Sequence, residues 1–153
     1  MIPKVALVPS AFFNPDRLRQ SLSEVVALDE GELVSCVDVP AFDAKLLYVR
    51  PAEGYVYPEL YYLLQQLQDC RDYNKIAAAY CGGFLHLAVA QGRNLLLANV
   101  FRAPDFTTAE YYIFLVLKKL QLNPEVSGIT FRTPLSDEET LSLYRYFKSV
   151  DQA

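Results

Sequence analysis

An α/β fold is predicted, with a strand-strand-strand-helix-strand-helix lobe over residues 75–150 behind a smaller unit of strands and helices. Three observations predict it. Two short Gly-containing turns, Gly82-Gly83 and Gln91-Gly92-Arg93-Asn94, separate three consecutive apolar runs. Two Ser/Thr-x-x-Glu patterns, Thr107–Glu110 and Ser136–Glu139, each precede apolar residues at helical spacing. A lone β-branched run, Val126–Arg132, lies between those two helices.

The elements follow in chain order. Lys4–Val8 is a short apolar run closed by Pro9, a strand signal. Asn14-Pro15 opens a helix, because Asn caps free amides and Pro suits the first helical position. Leu18, Leu22, Val25 and Val26 form its apolar face, and Glu30-Gly31 is expected to stop it. Leu33–Val39 is a second strand. Ala41–Val49 fits either a strand or a short helix, broken by Arg50-Pro51. Pro58 begins a helix with Leu60, Leu63, Leu64 and Leu67 as its buried stripe, ending near Cys70.

From Ile76 the pattern changes. Ile76–Cys81 is a strand of small residues, and Gly82-Gly83 suits a tight hairpin because both positions accept positive φ. Phe84–Ala90 alternates, with Leu85, Leu87 and Val89 on one side and Phe84, His86 and Ala88 on the other. Leu95–Phe101 completes the meander. Thr107 is expected to cap the next helix in a box with Glu110. Its face is Ala109, Tyr112, Ile113, Val116, Leu117 and Leu120, widened by Tyr111, Phe114 and Leu115. Ser136 caps the last helix, whose expected buried face is Leu143, Tyr144, Phe147 and Val150.

This order is that of a ribonuclease-H-like lobe, the unit from which actin-like ATPases build each half. The expected division is a partial N-terminal α/β lobe over residues 1–72 and a ribonuclease-H-like C-terminal lobe over residues 73–153, joined at Asp72–Asn74. A chain of 153 residues with 52% hydrophobic content buries a genuine core, which argues against disorder. A net charge of -4 argues against nucleic acid as a partner. No apolar run has membrane-spanning length, so no membrane association is expected either. Cys36, Cys70 and Cys81 lack C-x-x-C spacing and are expected as reduced, buried thiols in a cytoplasmic protein.

The chemistry of such lobes needs particular acids. Nucleases of this fold converge carboxylates from the first strand, first helix, fourth strand and a late helix on two metal ions. Here Ile76–Cys81 and Gly128–Thr133 carry no acid, and Arg132 would repel a metal. Glu110 and Asp137 sit at expected capping positions. In the ATPases the first hairpin supplies an acid and a Gly-rich phosphate turn. Gly82 and Gly83 are the residues that would wrap a phosphate, but their turn has no Asp. The Gly-Gly that would receive adenosine is replaced by Arg132-Thr133-Pro134. No catalytic residue, metal site or cofactor is therefore expected. His86, the single histidine, is expected as a hydrogen-bonded structural residue, and Cys81 as a small buried hydrophobe unless a helix N-terminus activates it.

The run Leu95–Phe101, then Asp105, Tyr111-Tyr112 and the helix exit Leu120-Gln121-Leu122-Asn123-Pro124-Glu125, resembles the bacterial domain-of-unknown-function family 3822. Ala6–Ser10 and Asn14-Pro15-Asp16 are similar to that family's middle section. The similarity covers most of the chain and is strongest from Asn94 to Val150. It implies an actin-like fold and no established reaction or functional residue. It also implies that the chain lacks the family's opening hairpins.

Of the 11 tyrosines, Tyr61, Tyr62 and Tyr111 are the candidate interaction residues, with packing at the core edge as the alternative for such amphipathic rings. The expected role is a non-catalytic interaction or assembly protein, with a protein partner or self-association covering an open sheet edge. The rival expectation is a degenerate ATP-binding protein or phosphotransferase using Asp72 or Asp105.

Overall fold

The computed structural model describes residues 3–50 and 57–152. They form two sheets with a helix between them. The first sheet has three antiparallel strands, β1 (Val5–Pro9), β2 (Val34–Val39) and β3 (Ala44–Val49), in the order β1-β3-β2. β3 is the segment that fitted either helix or strand. A 3₁₀ turn at Pro40–Phe42 and a left-handed Asp43 (φ 51°) reverse the chain into it. It then pairs on both edges and buries Leu46 and Leu47 completely.

Between β1 and β2 the helix is shorter than expected. Asn14 does accept from the Asp16 amide, but a 3₁₀ turn (Pro15–Arg17) leads into α1 (Leu18–Ser23), which stops well before Glu30-Gly31. The reason is burial. Leu22 reaches the core, whereas Val25 is 65% exposed, so there is no surface along which a longer stripe could pack. Arg19 closes the loop instead, donating to the carbonyls of Asp29 and Glu32.

The second sheet has five strands in the order β6-β5-β4-β7-β8. β4 (Asn74–Cys81), β5 (Phe84–Gln91) and β6 (Asn94–Arg102) form the antiparallel meander, and β7 (Gly128–Phe131) joins parallel to β4. A fifth strand, β8 (Ser149–Gln152), lies parallel to β7. Val150 therefore belongs to a strand rather than to the last helix, which ends at Tyr144, half-exposed. β7 also starts later than expected, because Pro124–Val126 forms a 3₁₀ turn. At Gly128 a Cβ would lie 2.4 Å from Ser149 Oγ, so any larger residue there would require that hydroxyl to turn away.

β4 and β5 are buried on both faces, and residue size differs between the faces. Ile76, Ala78, Leu85, Leu87, Val89, Ile129 and Phe131 lie beneath α3 (Phe106–Lys119) and α4 (Asp137–Tyr144). The other face offers Ala77, Ala79, Ala88 and Ala90 to α2 (Glu59–Asp69). These alanines let the helix approach closely, and its Leu60, Leu63, Leu64 and Leu67 are buried as the stripe predicts. Val39 and Leu46 of the first sheet join the same cluster, so α2 packs between the two sheets. No helix among the described residues is long and apolar enough to cross a membrane.

The cap of α3 differs from expectation. Asp105, not Thr107, is the cap: its carboxylate accepts from both the amide and the hydroxyl of Thr108 at 2.8 Å. An ionised acceptor outcompetes a hydroxyl for these amides, and the Asp105 carboxyl is held below its usual range by those bonds. Ser136 and Glu139 form the expected reciprocal box at α4. Ser136→Ala should cost about 1 kcal/mol in denaturant unfolding, and Asp105→Ala should cost clearly more than Thr107→Ala. Equal losses at Asp105 and Thr107 would contradict the assignment.

Candidate functional site

The β4–β5 hairpin positions the site. Gly82 (φ 58°) and Gly83 (φ 79°) make the two-residue turn, and the Gly83 carbonyl accepts from the Ala103 amide at 2.8 Å. The turn sets Cys81 opposite Phe84 and Ala79 opposite His86. Cys81 and His86 thus lie diagonally on one face, with Sγ 3.9 Å from Nε2.

Both groups are uncharged near neutral pH. Burial lowers the His86 pKa to about 4. Partial desolvation of the sulfur, although the residue as a whole is exposed, and then the nearby Glu59 carboxylate raise the Cys81 thiol. A thiolate–imidazolium pair is disfavoured from both sides, so this is no activated nucleophile. Two expectations are corrected here. Cys81 is exposed rather than buried, with Cys36 and Cys70 partly buried. His86 is 94% buried yet not fully hydrogen-bonded, since Nδ1 has no partner among the described residues.

The hairpin faces a cleft of about 480 Å³, a size typical of small-molecule sites. Cys81, Gly82, Phe84 and His86 form one wall. Lys4 and Val5 of the first sheet's edge, with Glu32, form another, and Tyr48, Tyr57 and Glu59 complete it. Its charged groups are already matched. Lys4 Nζ donates to Glu32 at 2.6 Å and lies 3.6 Å from Asp29, which raises the lysine and lowers Glu32. Glu59 Oε1 pairs with Arg132 Nη1 at 3.2 Å.

Arg132 stands where an adenosine-receiving Gly-Gly is replaced in this sequence. Its amide donates to the Ala78 carbonyl, its guanidinium lies 4.4 Å over the Tyr62 ring, and its charge holds Glu59. Tyr62 belongs to an aromatic row: Tyr48–Tyr57 (6.3 Å), Tyr57–Tyr61 (4.5 Å) and Tyr61–Tyr62 (5.4 Å). Tyr61 and Tyr62 are therefore half-buried beside the cleft, whereas Tyr111 is 61% exposed on α3.

The acids of the sequence reading lie elsewhere. Asp72 is exposed in the bend before β4, and Asp105 is occupied as a cap. Glu110 is not a cap. It accepts from Ser142 Oγ of α4 at 3.0 Å, its Oε1 is buried without a partner among the described residues, and burial raises its pKa. Among the described residues no three His, Cys, Asp or Glu side chains converge as a metal group.

Sequence reasoning missed the Cys81–His86 contact, although a Gly-Gly two-residue turn implies that register. It also missed Lys4, Glu32, Tyr48, Tyr57 and Glu59, whose meeting no local pattern encodes.

The family model of a protein of unknown function, DUF3822, matches residues 2–150. A crystal structure from Bacteroides thetaiotaomicron VPI-5482, of a protein with actin-like ATPase fold and unknown function, is similar with a TM-score of 0.77 at 20% identity. The match covers 98% of this chain and 65% of that one, so the chain spans less than two thirds of its neighbour's length. No curated protein matches. The fold is thus the expected actin-like α/β fold.

Proposed function

The chain belongs to the family of proteins of unknown function DUF3822, and from that premise we propose that it is a non-catalytic actin-like-fold protein serving as an interaction or assembly module. One observation carries the reading. At the hairpin where related folds handle phosphate and metal, this chain has a neutral Cys81–His86 pair, and the adjoining carboxylate Glu59 is matched by Arg132. Metal–phosphate charge would meet no free acid on β4 or β7.

The partner in this reading is a protein or a second copy of the chain. Tyr111, Leu141, Tyr144 and Tyr146 are exposed rings and side chains of α3, α4 and the turn after it, and support an interaction face there. β6 ends the second sheet and supports strand addition as a second mode. Calorimetry with ATP and Mg²⁺ should give no saturable heat, and light scattering should give a mass that rises across micromolar concentrations. Tight nucleotide binding would defeat the non-catalytic reading and restore the degenerate ATP-binding one. A strictly monomeric mass would remove self-association and leave a different protein as partner.

A further inference from the structure

β6 is an edge of the second sheet, and its ladder with β5 fixes which of its backbone groups are open. Hydrogen-bonded and non-bonded pairs alternate along an antiparallel ladder. The Ala103 amide donates to the Gly83 carbonyl, so in the unbroken register that precedes it Phe101, Asn99 and Leu97 bond to β5. Ala98, Val100 and Arg102 therefore direct their amides and carbonyls outward. A second bond agrees: the Val100 amide donates to Asn99 Oδ1 at 2.8 Å in place of a β5 carbonyl. No strand pairs with this edge among the described residues. β1 comes near, with Val5 and Leu7 in the cluster that also takes in Leu95 and Ala98, but it forms no ladder with β6.

An independent feature meets the same edge. Phe101 of β6 stacks on Tyr112 at 5.1 Å, and Tyr112 touches Tyr111 at 5.7 Å. The aromatic row thus runs from the edge strand out to a ring that is 61% exposed. Such amphipathic rings suit a surface that a partner covers. Edges that exclude other strands carry a charge or a proline within the strand. Asn94–Arg102 has neither in its interior, and its single charge, Arg102, stands at its end.

We infer that β6 pairs with the β6 of a second copy of this chain, antiparallel about a two-fold axis at Val100. The inference rests on the assembly reading above and names its partner and surface. In this register Val100 faces itself and Ala98 faces Arg102, so all three outward residues gain backbone partners. Arg102 meets no like charge, which is what makes the strand self-complementary. The Val100 amide exchanges its bond to Asn99 for one between strands. Phe101 faces Asn99 on the α3 side, so the two aromatic rows flank the joint and each Tyr111 lies beside it.

Sedimentation of the full chain should give a monomer–dimer equilibrium across micromolar concentrations. Val100→Lys and Val100→Glu each place a charge that meets its own copy across the axis, and each should weaken the dimer about fivefold. Val100 is only partly buried, so both variants should fold. An equimolar mixture of the two should restore association, because Lys then faces Glu, a rescue that damage to the fold cannot mimic. Tyr144→Ser, on α4, should leave the equilibrium unchanged. A monomeric wild type, undiminished association of both variants, or a mixture no stronger than either variant alone would overturn the inference. So would a dimer lost with Tyr144→Ser and kept with Val100→Lys, which would move the interface to α4 and leave the assembly reading standing. Nucleotide binding, by contrast, would remove the non-catalytic reading without altering the response of the dimer to Val100.

Discussion

Leu63→Ala should lower the unfolding free energy by about 3–5 kcal/mol, the upper part of the range for a buried Leu-to-Ala change. Leu63 is fully buried on α2, in the cluster that joins Ala77, Ala79, Ala88 and Ala90 of the second sheet to Val39 and Leu46 of the first. The cost depends on how far the surroundings can collapse. On one side the floor is already alanine, with no longer side chain to swing into the space. The strands beneath it are held by ladder bonds on both edges, since β4 pairs with β5 and β7, and β5 with β4 and β6. The cavity should therefore persist. Because α2 serves both sheets, the loss should appear in one cooperative transition that shifts as a whole. Leu141→Ala, at a side chain 64% exposed on α4, should stay within about 0.5 kcal/mol. Urea unfolding of the two variants is the measurement. A Leu63→Ala loss below about 1 kcal/mol would mean that α2 does not tie the sheets together.

Acid should destabilise the protein between about pH 6.5 and 4, with His86 contributing on the order of 3 kcal/mol. The sign follows from the proton count. His86 binds its proton near pH 6.5 in the unfolded chain and near 4 in the folded one. Between those values the unfolded state holds more protons, so stability falls as pH falls. Below about 4 both states are protonated and this contribution is flat. Glu110 works in the opposite direction. Its folded pKa is raised above the usual 4.5, so its contribution is lost as pH rises through that folded value. The decisive quantity is therefore the difference in pH slope between the wild type and His86→Gln, in which the Glu110 effect cancels. His86→Gln should lose most of the slope between pH 6.5 and 4, whatever its stability at pH 7. Parallel slopes would show that His86 takes up its proton in the fold without penalty.

Much of the architecture was legible locally. The Leu60, Leu63, Leu64 and Leu67 stripe is buried, the Gly82-Gly83 turn is a hairpin, and the Ser136–Glu139 box caps α4, because each is encoded within a few residues. The failures share a different cause. Asp105 and Thr107 are rival caps two residues apart, and local spacing admits both. The choice follows from Asp105 taking two bonds from Thr108 while Glu110 is engaged by Ser142, 32 residues away. β8 is short and half polar, so alone it reads as the continuation of a helix. Parallel pairing with β7, out of reach of any local pattern, makes it a strand. The helix after Asn14 shows the converse, an apolar stripe without a surface to cover.

The candidate site was less legible than the fold. Its two best-defined members, Cys81 and His86, were in view as residue types, and the register of a two-residue turn already brought them together. Their titration was not, because a pKa depends on what covers the group. Arg132 reads from the sequence only as a replacement for an adenosine-receiving Gly-Gly, while its contacts to Glu59 and Tyr62 depend on α2 lying against β7's end.

By itself the sequence determined the strand and helix order from β4 to α4, the apolar face of α2, and the absence of acids from β4 and β7. These are properties of period, turn chemistry and composition, and each lies within one element. The tertiary structure decided which cap wins, where the last strand goes, and that Lys4, Glu32, Tyr48, Tyr57, Glu59 and His86 meet around one cleft. Those outcomes depend on burial and on pairings between residues far apart in the chain, where electrostatic and packing energies are set by neighbours that no local window contains.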